Sequence, residues 1–220
     1  MPEGVFMKTI LCYGDSNTWG ANPSGGERFD QNTRWPGVLR NILNEGCGPA
    51  NPAYWVVEEG LSGRTSCRED FVEGDRNGLR QLIPILGSHK PLDLVVIMLG
   101  TNDLKPRFSP TEYDVARGSY HVAKAARDSL MGPDDTAPRV LMICPPATLD
   151  SPATRHLFKG SEEISPLLPT RYRQFAEELG ILFLDANTII SSSKSDGIHL
   201  DPESHKKLGE AVAKIVRENL

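Results

Sequence analysis

The sequence predicts an α/β fold in which helices cover both faces of a parallel five-stranded sheet. Short apolar runs alternate with segments of helical period along the 220-residue chain, which is the pattern of repeated βαβ units. Four of the five runs are rich in Val, Ile, Leu or Met with little polar alternation, as in strands covered on both faces. The length suits one domain over residues 1–220, with residues 1–7 expected as a short disordered lead.

The predicted strands are short and end in small or polar residues. They are residues 9–13, 54–58, 92–99, 139–144 and 181–184. The predicted helices have apolar residues on one stripe and lie between these strands. They are residues 34–44, 76–88, 111–131, 162–180 and a last helix that opens at residues 201–203. Pro36 is tolerable in a first helical turn, and Gly180 is a normal C-terminal stop.

Composition and charge exclude several classes of function. Hydrophobic residues make up 39% and charged residues 24% of the chain, as in water-soluble globular proteins. The net charge is −5 and basic residues are scattered, so no nucleic-acid partner is indicated. The longest apolar run, residues 92–99, is shorter than the ~18 residues of a membrane helix. The N-terminus does not resemble a secretory signal.

The cysteines point to a reduced protein. Cys12, Cys47, Cys67 and Cys144 form no C-x-x-C pair, so neither a zinc site nor a thioredoxin-like motif is indicated. Cys12 and Cys144 lie inside predicted strands and are expected to be buried thiols. A cytoplasmic protein is the simplest interpretation.

Polar segments follow each predicted strand. In open parallel sheets, ligands bind outside the carboxyl ends of the strands. Those ends are followed by GDSNTWG (14–20), EGLSGRTS (59–66), GTND (100–103), PPATLD (145–150) and, after a short segment, SDGIHLD (195–201). All five segments are therefore expected on one edge of the sheet. The loop over residues 145–162 is long, and such loops are often functional.

His199 is the candidate base for nucleophilic catalysis. Such a base is oriented by a third group, usually a carboxylate, and Asp196 can fold back to it across a single turn. The alternative is an ordinary helix start, with Asp201 as the cap of the last helix. A metal site of Asp196, His199, Asp201 and His205 is disfavoured, because two histidines six residues apart do not share a helix face.

Ser16 is the candidate nucleophile. It follows a strand and precedes a loop or helix start, which exposes its side chain at the sheet edge. The G-x-S-x-G pattern of the nucleophile elbow is absent. Ser62 comes near that pattern, but Arg64 replaces the last glycine, so Ser62 is the weaker candidate. Both serines could also be simple turn residues.

Three groups could stabilise an oxyanion at this edge. The Asn102 side chain and the Ser16 and Gly63 backbone N–H groups are suitable donors, and glycine lets a bare backbone approach a ligand. Asp103 could cap the following segment or tie loops together. Residues 102–103 could also form only a turn.

Together these segments resemble a known family. GDSNT at 14–18, Gly63, GTND at 100–103 and DGIH at 196–199 look like the four blocks of the SGNH hydrolase superfamily, also called GDSL esterases. The blocks occur in the family's order. The sequences around them look closest to the bacterial arylesterase/acyltransferase branch, which includes perhydrolases. The resemblance implies a flavodoxin-like α/β/α sandwich with five parallel strands.

The resemblance also implies residue roles. Ser16 would be the nucleophile, His199 the base and Asp196 the acid that orients it. The oxyanion hole would consist of the Ser16 N–H, the Gly63 N–H and the Asn102 amide. No metal ion or organic cofactor is implied.

Three residues beside the serine carry further expectations. Asp15 and Trp19 are expected to bind substrate. Asn17 occupies the position where the family name has leucine, which is expected to alter loop packing or the lining of the acyl site.

A homo-oligomer is expected from the resemblance, in which neighbouring subunits narrow the entrance. Exposed aromatic residues at Trp19, Phe29 and Trp35 would suit that, although core packing explains them equally well.

The expected function is that of a serine esterase, or arylesterase, on small-molecule acyl esters. An acyl-serine intermediate would be hydrolysed or would transfer its acyl group to an alcohol or peroxide. One alternative is a carbohydrate acetylesterase with the same catalytic residues. Another is a non-catalytic flavodoxin-like binding domain, which lacks support because neither G-x-x-x-x-G-K nor G-x-G-x-x-G is present.

Overall fold

The computed structural model describes residues 7–48 and 50–220, so most of the expected disordered lead lies outside the described residues. Five parallel strands form one sheet: β1 (Lys8–Gly14), β2 (Tyr54–Gly60), β3 (Leu94–Met98), β4 (Arg139–Cys144) and β5 (Leu182–Asp185). Their order is β2-β1-β3-β4-β5. This is the flavodoxin-like order, whose direction reverses between β1 and β3. All five predicted strands are confirmed, with ends within two residues of those expected.

The alternation of side chains along each strand builds two cores. In β1, Leu11 and Tyr13 belong to one apolar cluster, whereas Ile10 and Cys12 belong to the other. All four side chains are fully buried. A strand that is apolar at every position therefore has both faces covered, which is why the runs lack polar alternation.

Helices cover both faces of the sheet. Those in the described part of the chain are α1 (Ser16–Trp19), α2 (Trp35–Leu43), α3 (Gly78–His89), α4 (Glu112–Arg127), α5 (Arg155–Phe158), α6 (Ser161–Ile164), α7 (Leu168–Leu179) and α8 (Pro202–Asn219). The core on one face includes residues of α2 and α8, and the core on the other includes residues of α3, α4 and α7. The expected three-layer α/β/α sandwich is confirmed.

The prediction of one helix over residues 162–180 is wrong. The segment contains α6, a 3-10 turn at Ser165–Leu167 and then α7. Pro166 lies in that turn, and proline has no N–H to donate and restricts the residue before it, so a continuous helix is interrupted there. The end of α7 is as expected, because Gly180 adopts the left-handed conformation at φ 64°.

Two other helices differ from expectation, one in where it ends and one in how it is capped. The helix expected over residues 111–131 ends at Arg127, and Thr111 begins it with a capping box to Asp114. Asp201 occupies the N-cap position of α8, but its side chain makes no capping hydrogen bond.

The cysteines are free thiols, and Cys12 and Cys144 are buried as expected. Burial raises the pKa of both thiols well above the ordinary value, so they stay protonated at neutral pH. Within ranges 7–48 and 50–220, none of the helices combines the length and apolar character that crossing a bilayer requires.

Candidate active site

The turn after β1 presents Ser16 at the carboxyl edge of the sheet. Ser16 is the first residue of α1, and the Asp15 carboxylate caps that helix by accepting a hydrogen bond from the Asn17 N–H at 2.9 Å. A side chain at Gly14 would lie 2.1 Å from the Thr18 hydroxyl oxygen, so the tight turn requires glycine there. Ser16 is 7% exposed. The turn therefore leaves the serine nearly enclosed, with a small opening to solvent.

His199 reaches this serine from the other end of the chain. The Nε2 atom of His199 lies 2.9 Å from Ser16 Oγ, although 183 positions separate the two residues. Its Nδ1 atom lies 2.5 Å from Asp196 Oδ2. Serine, histidine and aspartate thus form one continuous hydrogen-bonded chain.

The Asp196 carboxylate is held on both oxygens. While Oδ2 faces the imidazole, Oδ1 accepts from the Ile198 and His199 backbone N–H groups, each at 2.9 Å. Burial raises the pKa of Asp196, but the hydrogen bonds from His199 and from these two amides outweigh burial, so the net pKa lies below its ordinary value. Asp196 is therefore ionised at neutral pH.

The long loop after β4 packs against the turn that carries Asp196 and His199. Gly197 adopts φ +77°, and a side chain there would lie 2.2 Å from the Leu149 carbonyl oxygen. The Leu149 N–H donates to the Gly197 carbonyl at 2.8 Å, and the Thr154 hydroxyl donates to the Asp196 carbonyl at 2.5 Å. The loop over residues 145–162 thus fixes the segment that carries Asp196 and His199.

Two backbone N–H groups at this edge of the sheet, those of Ser16 and Gly63, are candidate donors. Gly63 follows β2, whose Gly60 pairs with Gly14 of β1, and Gly63 adopts φ +82°. Among the described residues, neither the Ser16 nor the Gly63 N–H has a hydrogen-bond acceptor. A side chain at Gly63 would lie 2.3 Å from the Glu73 Oε2 atom. The left-handed backbone favours glycine at this position, whereas the contact with the end of the flexible Glu73 side chain could be relieved by a small movement.

The Asn102 amide lies at the same edge. Its Nδ2 atom donates to the Arg64 carbonyl at 3.1 Å and lies 3.5 Å from Asp15 Oδ2. The first bond fixes the orientation of the amide. The second contact is at the limit of hydrogen-bond length, so one amide hydrogen is weakly engaged.

The loops that carry Gly63 and Asn102 are joined by buried polar contacts. Asp103 is fully buried and accepts from the Ser66 N–H and hydroxyl. Burial raises the pKa of Asp103 to about 6. Lys105, 2% exposed, forms an ion pair with Glu73 and lies 3.6 Å from an Asp70 oxygen. Asp103 thus ties loops together, one of the two roles expected for it.

Asp15 and Trp19, expected at the substrate, lie in different environments. Asp15 is 1% exposed, with Oδ1 bonded to the Asn17 N–H and Oδ2 facing Asn102. Burial raises the pKa of Asp15 to about 6. Trp19 is half-buried, and the Arg28 guanidinium carbon lies 4.8 Å from the centroid of its ring. Asp15 therefore faces protein groups, whereas Trp19 keeps partial access to solvent.

The remaining candidates do not join this site. Ser62 is exposed in the turn over residues 61–64. His205 is fully buried, and its Nδ1 atom accepts from the Trp35 N–H at 3.3 Å. No group of three or more His, Cys, Asp or Glu side chains within residues 7–48 and 50–220 is arranged to hold a metal ion.

Of the aromatic residues considered for a subunit contact, Trp35 is a core residue. Its side chain is fully buried between β-sheet and α8 residues of one core cluster. Phe29 is half-buried and packs edge-on against the ring of His205, with 5.5 Å between ring centroids. Of the two interpretations offered for Trp35, core packing therefore holds, because its helix turns the ring into the core.

Sequence reasoning missed the supporting role of Arg64. Its guanidinium lies over the Tyr13 ring at 4.1 Å and donates to the Gly14 and Glu59 carbonyls, at 2.8 and 2.5 Å. In the sequence, Arg64 is visible only as a departure from G-x-S-x-G. No local pattern could reveal this role, because its partners are backbone carbonyls on two separate strands.

Comparison with known proteins gives a consistent set of relatives. Residues 12–207 match the family model described as the GDSL-like lipase/acylhydrolase family. An aryl esterase from M. smegmatis is 38% identical, with 97% of this chain and 100% of that chain covered and a TM-score of 0.88. A carbohydrate acetylesterase from Sinorhizobium meliloti is 36% identical, with 97% and 100% covered and a TM-score of 0.89.

A more distant relative is longer than this chain. An acetylxylan esterase from Xylanibacter ruminicola is 25% identical over 226 residues, which cover 94% of this chain. The match spans 43% of that relative's length.

Proposed function

This chain belongs to the GDSL-like lipase/acylhydrolase family and is a carboxylic ester hydrolase, and from that premise we propose that it cleaves small acyl esters with Ser16 as nucleophile. The observation that carries the proposal is the hydrogen-bonded chain from Ser16 Oγ through the His199 imidazole to the Asp196 carboxylate. A serine hydroxyl is a weak nucleophile until an adjacent base takes its proton, and this chain provides that base and its orienting group.

In the acylation step, Ser16 Oγ bonds to the ester carbonyl carbon while its proton passes to His199 Nε2. The tetrahedral intermediate then collapses, the carbon–oxygen bond to the alcohol breaks, and the alcohol leaves with the proton from His199. Asp196 accepts a hydrogen bond from Nδ1, which leaves Nε2 free to take the serine proton. Because Asp196 is ionised, its charge also stabilises the imidazolium that forms.

The negative charge on the tetrahedral oxygen would be stabilised by three donors. They are the Ser16 N–H, the Gly63 N–H and the weakly engaged hydrogen of the Asn102 amide. The two backbone groups have no acceptor among the described residues, so they can turn to a substrate oxygen without first breaking a bond. Such fixed donors stabilise a transition state without reorganising during the reaction.

We assign Asp15 a supporting role rather than contact with substrate. Its burial leaves no oxygen directed at solvent, and its two oxygens face the Asn17 N–H and Asn102. Trp19 remains the proposed substrate contact, because its ring retains partial exposure one helical turn from Ser16.

In deacylation, water attacks the acyl carbon as His199 takes its proton, and Ser16 Oγ leaves with a proton returned by His199. An alcohol or peroxide could replace water, and the enzyme would then act as an acyltransferase. Which acceptor is used depends on how far the acyl site excludes water.

A second candidate substrate class is acetylated carbohydrate. It is favoured by the similarity to a carbohydrate acetylesterase and an acetylxylan esterase. Aryl and sugar acetates share the acyl group, so the same catalytic residues serve both and only the alcohol site differs. Comparing kcat/KM on p-nitrophenyl acetate and on acetylated xylo-oligosaccharides separates the two classes.

We also propose a homo-oligomer in a reducing, cytoplasmic setting. Phe71 and Val72 are 95% and 73% exposed in the turn over residues 70–74, whose Glu73 packs against Gly63. Adjacent exposed apolar side chains are typical of contact surfaces. Light scattering after gel filtration should give a mass above that of a single chain, and Phe71→Ser should lower that mass.

The free thiols fit a reducing setting, which is the basis for proposing a cytoplasmic protein.

The experiment that tests the catalytic proposal compares two serine variants on p-nitrophenyl acetate. Ser16→Ala is expected to lose roughly 10³-fold or more in kcat, as removal of a catalytic serine does. Ser62→Ala, an exposed serine of the neighbouring loop, is the control and is expected to keep most activity. The opposite pattern would assign the nucleophile to Ser62.

A further inference from the structure

Asn17 makes a contact that the mechanism above does not use. It directly follows Ser16 and is 1% exposed. Its backbone N–H donates to Asp15, and its side-chain Nδ2 atom donates to the Ile198 carbonyl at 3.2 Å, 181 positions away. The residue after the proposed nucleophile is thus bonded directly to the residue before the proposed base.

The acceptor of this bond belongs to a peptide group that is held at both ends. The Ile198 carbonyl accepts from Asn17, and the N–H of the same peptide unit, which is that of His199, donates to Asp196 Oδ1 at 2.9 Å. A hydrogen bond to the carbonyl of a peptide strengthens its N–H as a donor. The Asn17 amide therefore fixes the orientation of this peptide plane and strengthens the hydrogen bond from the His199 N–H to Asp196.

The placement of Asn17 is not explained by stability. Its Oδ1 atom is buried without a hydrogen-bond partner among the described residues, which is unfavourable for a polar atom. Because the Ile198 oxygen can only accept, the amide cannot turn its own oxygen towards it without losing the bond. A leucine of similar size would avoid the unpaired oxygen but would lack the donor.

We infer that Asn17 is a positioning residue that couples the nucleophile's turn to the loop bearing the acid and the base. This inference rests on the proposed function. By fixing the peptide between Ile198 and His199, Asn17 sets the orientation of Asp196 and, through it, that of the His199 ring facing Ser16. The consequence falls on the rate of attack by Ser16 rather than on substrate binding, since Asn17 is buried.

The test compares Asn17→Leu with Thr18→Val. Thr18 is the next residue of α1, is fully buried, and its hydroxyl has no partner among the described residues, so valine removes a polar atom without removing a bond. Asn17→Leu is expected to lower kcat on p-nitrophenyl acetate about tenfold with little change in KM, the effect of one hydrogen bond on a rate. Thr18→Val should stay within about twofold of wild type, well below that effect.

Three further readouts separate positioning from packing. Diethyl p-nitrophenyl phosphate reacts by forming a bond from Ser16 Oγ to phosphorus, while the serine proton passes to His199 and p-nitrophenolate leaves. Its inactivation rate should fall with Asn17→Leu in the same proportion as kcat. The low-field proton resonance of His199 Nδ1, shared with Asp196, should also move upfield in the Asn17 variants and not in Thr18→Val. Thermal unfolding should show Asn17→Leu at least as stable as wild type.

Asn17→Ala removes the amide without adding bulk and is expected to give the same kinetic loss, so the test does not depend on the folding of one variant. The inference is overturned if the folded Asn17 variants match Thr18→Val in kcat, inactivation rate and proton resonance while Ser16→Ala is inactive. Activity retained in Ser16→Ala would instead overturn the proposed function, and the two failures are therefore distinguishable.

Discussion

Ser66 donates both its backbone N–H and its hydroxyl to the carboxylate of Asp103, at 2.8 and 2.6 Å. Ser66 lies on the loop that carries Gly63, and Asp103 directly follows Asn102. The pair therefore joins the two loops that supply proposed oxyanion donors, and both residues are fully buried. Together with the bond from the Asn102 amide to the Arg64 carbonyl, these two bonds fix the spacing of the proposed donors.

Ser66→Ala is expected to destabilise the protein by about 1–3 kcal/mol, because it leaves one oxygen of a buried carboxylate without its closest donor. Urea unfolding measures the change in the free energy of unfolding. Ser62→Ala, on the exposed part of the same loop, is the control. Equal unfolding midpoints for the two variants would contradict the prediction.

Asn102→Ala is expected to lower kcat by about 10²–10³, the usual loss when one side-chain donor of an oxyanion hole is removed. The buried Arg64 carbonyl also loses its Asn102 donor, which should cost stability, whereas the loss of an oxyanion donor falls on the chemical step rather than on KM. Steady-state kinetics on p-nitrophenyl acetate measure it. A loss below tenfold would exclude the amide from the oxyanion hole.

Gly63→Ala is expected to reduce both stability and activity. The new methyl group would lie 2.3 Å from the Glu73 carboxylate, and the backbone at φ +82° is strained for any residue with a side chain. Glu73→Ala alone removes the ion pair with Lys105 and is therefore the reference for the double variant Gly63→Ala/Glu73→Ala. The melting temperature should fall less from Glu73→Ala to the double variant than from wild type to Gly63→Ala, because only the backbone strain then remains. No fall from Glu73→Ala to the double variant would show that backbone strain plays no role.

Asp196→Asn is expected to lower kcat about 10⁴-fold, as the equivalent change does in other serine hydrolases with this arrangement. The asparagine amide would donate to His199 Nδ1, which puts the ring proton on Nε2, where it faces Ser16 and cannot accept the serine proton. Asp201→Asn, at the N-cap of α8, is the control. Activity within tenfold of wild type would remove Asp196 from the mechanism.

His205 is expected to make stability depend on pH. Burial lowers its pKa from 6.5 to about 4 in the folded protein. The unfolded chain then takes up the proton first, so this stabilisation is complete above pH 6.5 and is lost as pH falls towards 4. Urea unfolding from pH 4 to 8 measures it, and the difference between wild type and His205→Leu isolates it from the carboxylates.

The carboxylates of Asp15 and Asp103 act in the opposite direction. Burial raises both pKa values from 3.8 to about 6, so their contribution to stability is complete below pH 3.8 and is lost as pH rises through 6.

The prediction for His205 has its own contradicting outcome. If the difference in stability between wild type and His205→Leu did not vary between pH 4 and 6.5, the assignment of a low pKa to His205 would be wrong.

The strands and the polar segments that follow them could be predicted from the sequence, because burial of both faces of a strand leaves a local apolar pattern. A run such as Leu94–Met98 is apolar at every position since both of its faces are covered, and it is followed at once by the polar GTND segment. The break before α7 is also marked in the sequence, by Pro166, which the prediction of one helix over residues 162–180 did not take into account.

The candidate catalytic residues could be predicted because their spacing is short or their motifs are compact. Asp196 and His199 need only one turn to meet, and Ser16 needs only a tight turn after a strand. The structure brings these three side chains into contact. Their chemical roles stay predictions until the variants above are measured.

The sequence by itself determined which segments are strands and which polar residues follow them, because both depend on neighbours in the chain. Only the tertiary structure decided that Asn17 meets Ile198, that Ser66 meets Asp103 and that Asp15 faces inward. These contacts join residues that are far apart in the chain or depend on burial from several elements. No local pattern records them, because packing of the whole sheet edge brings their partners together.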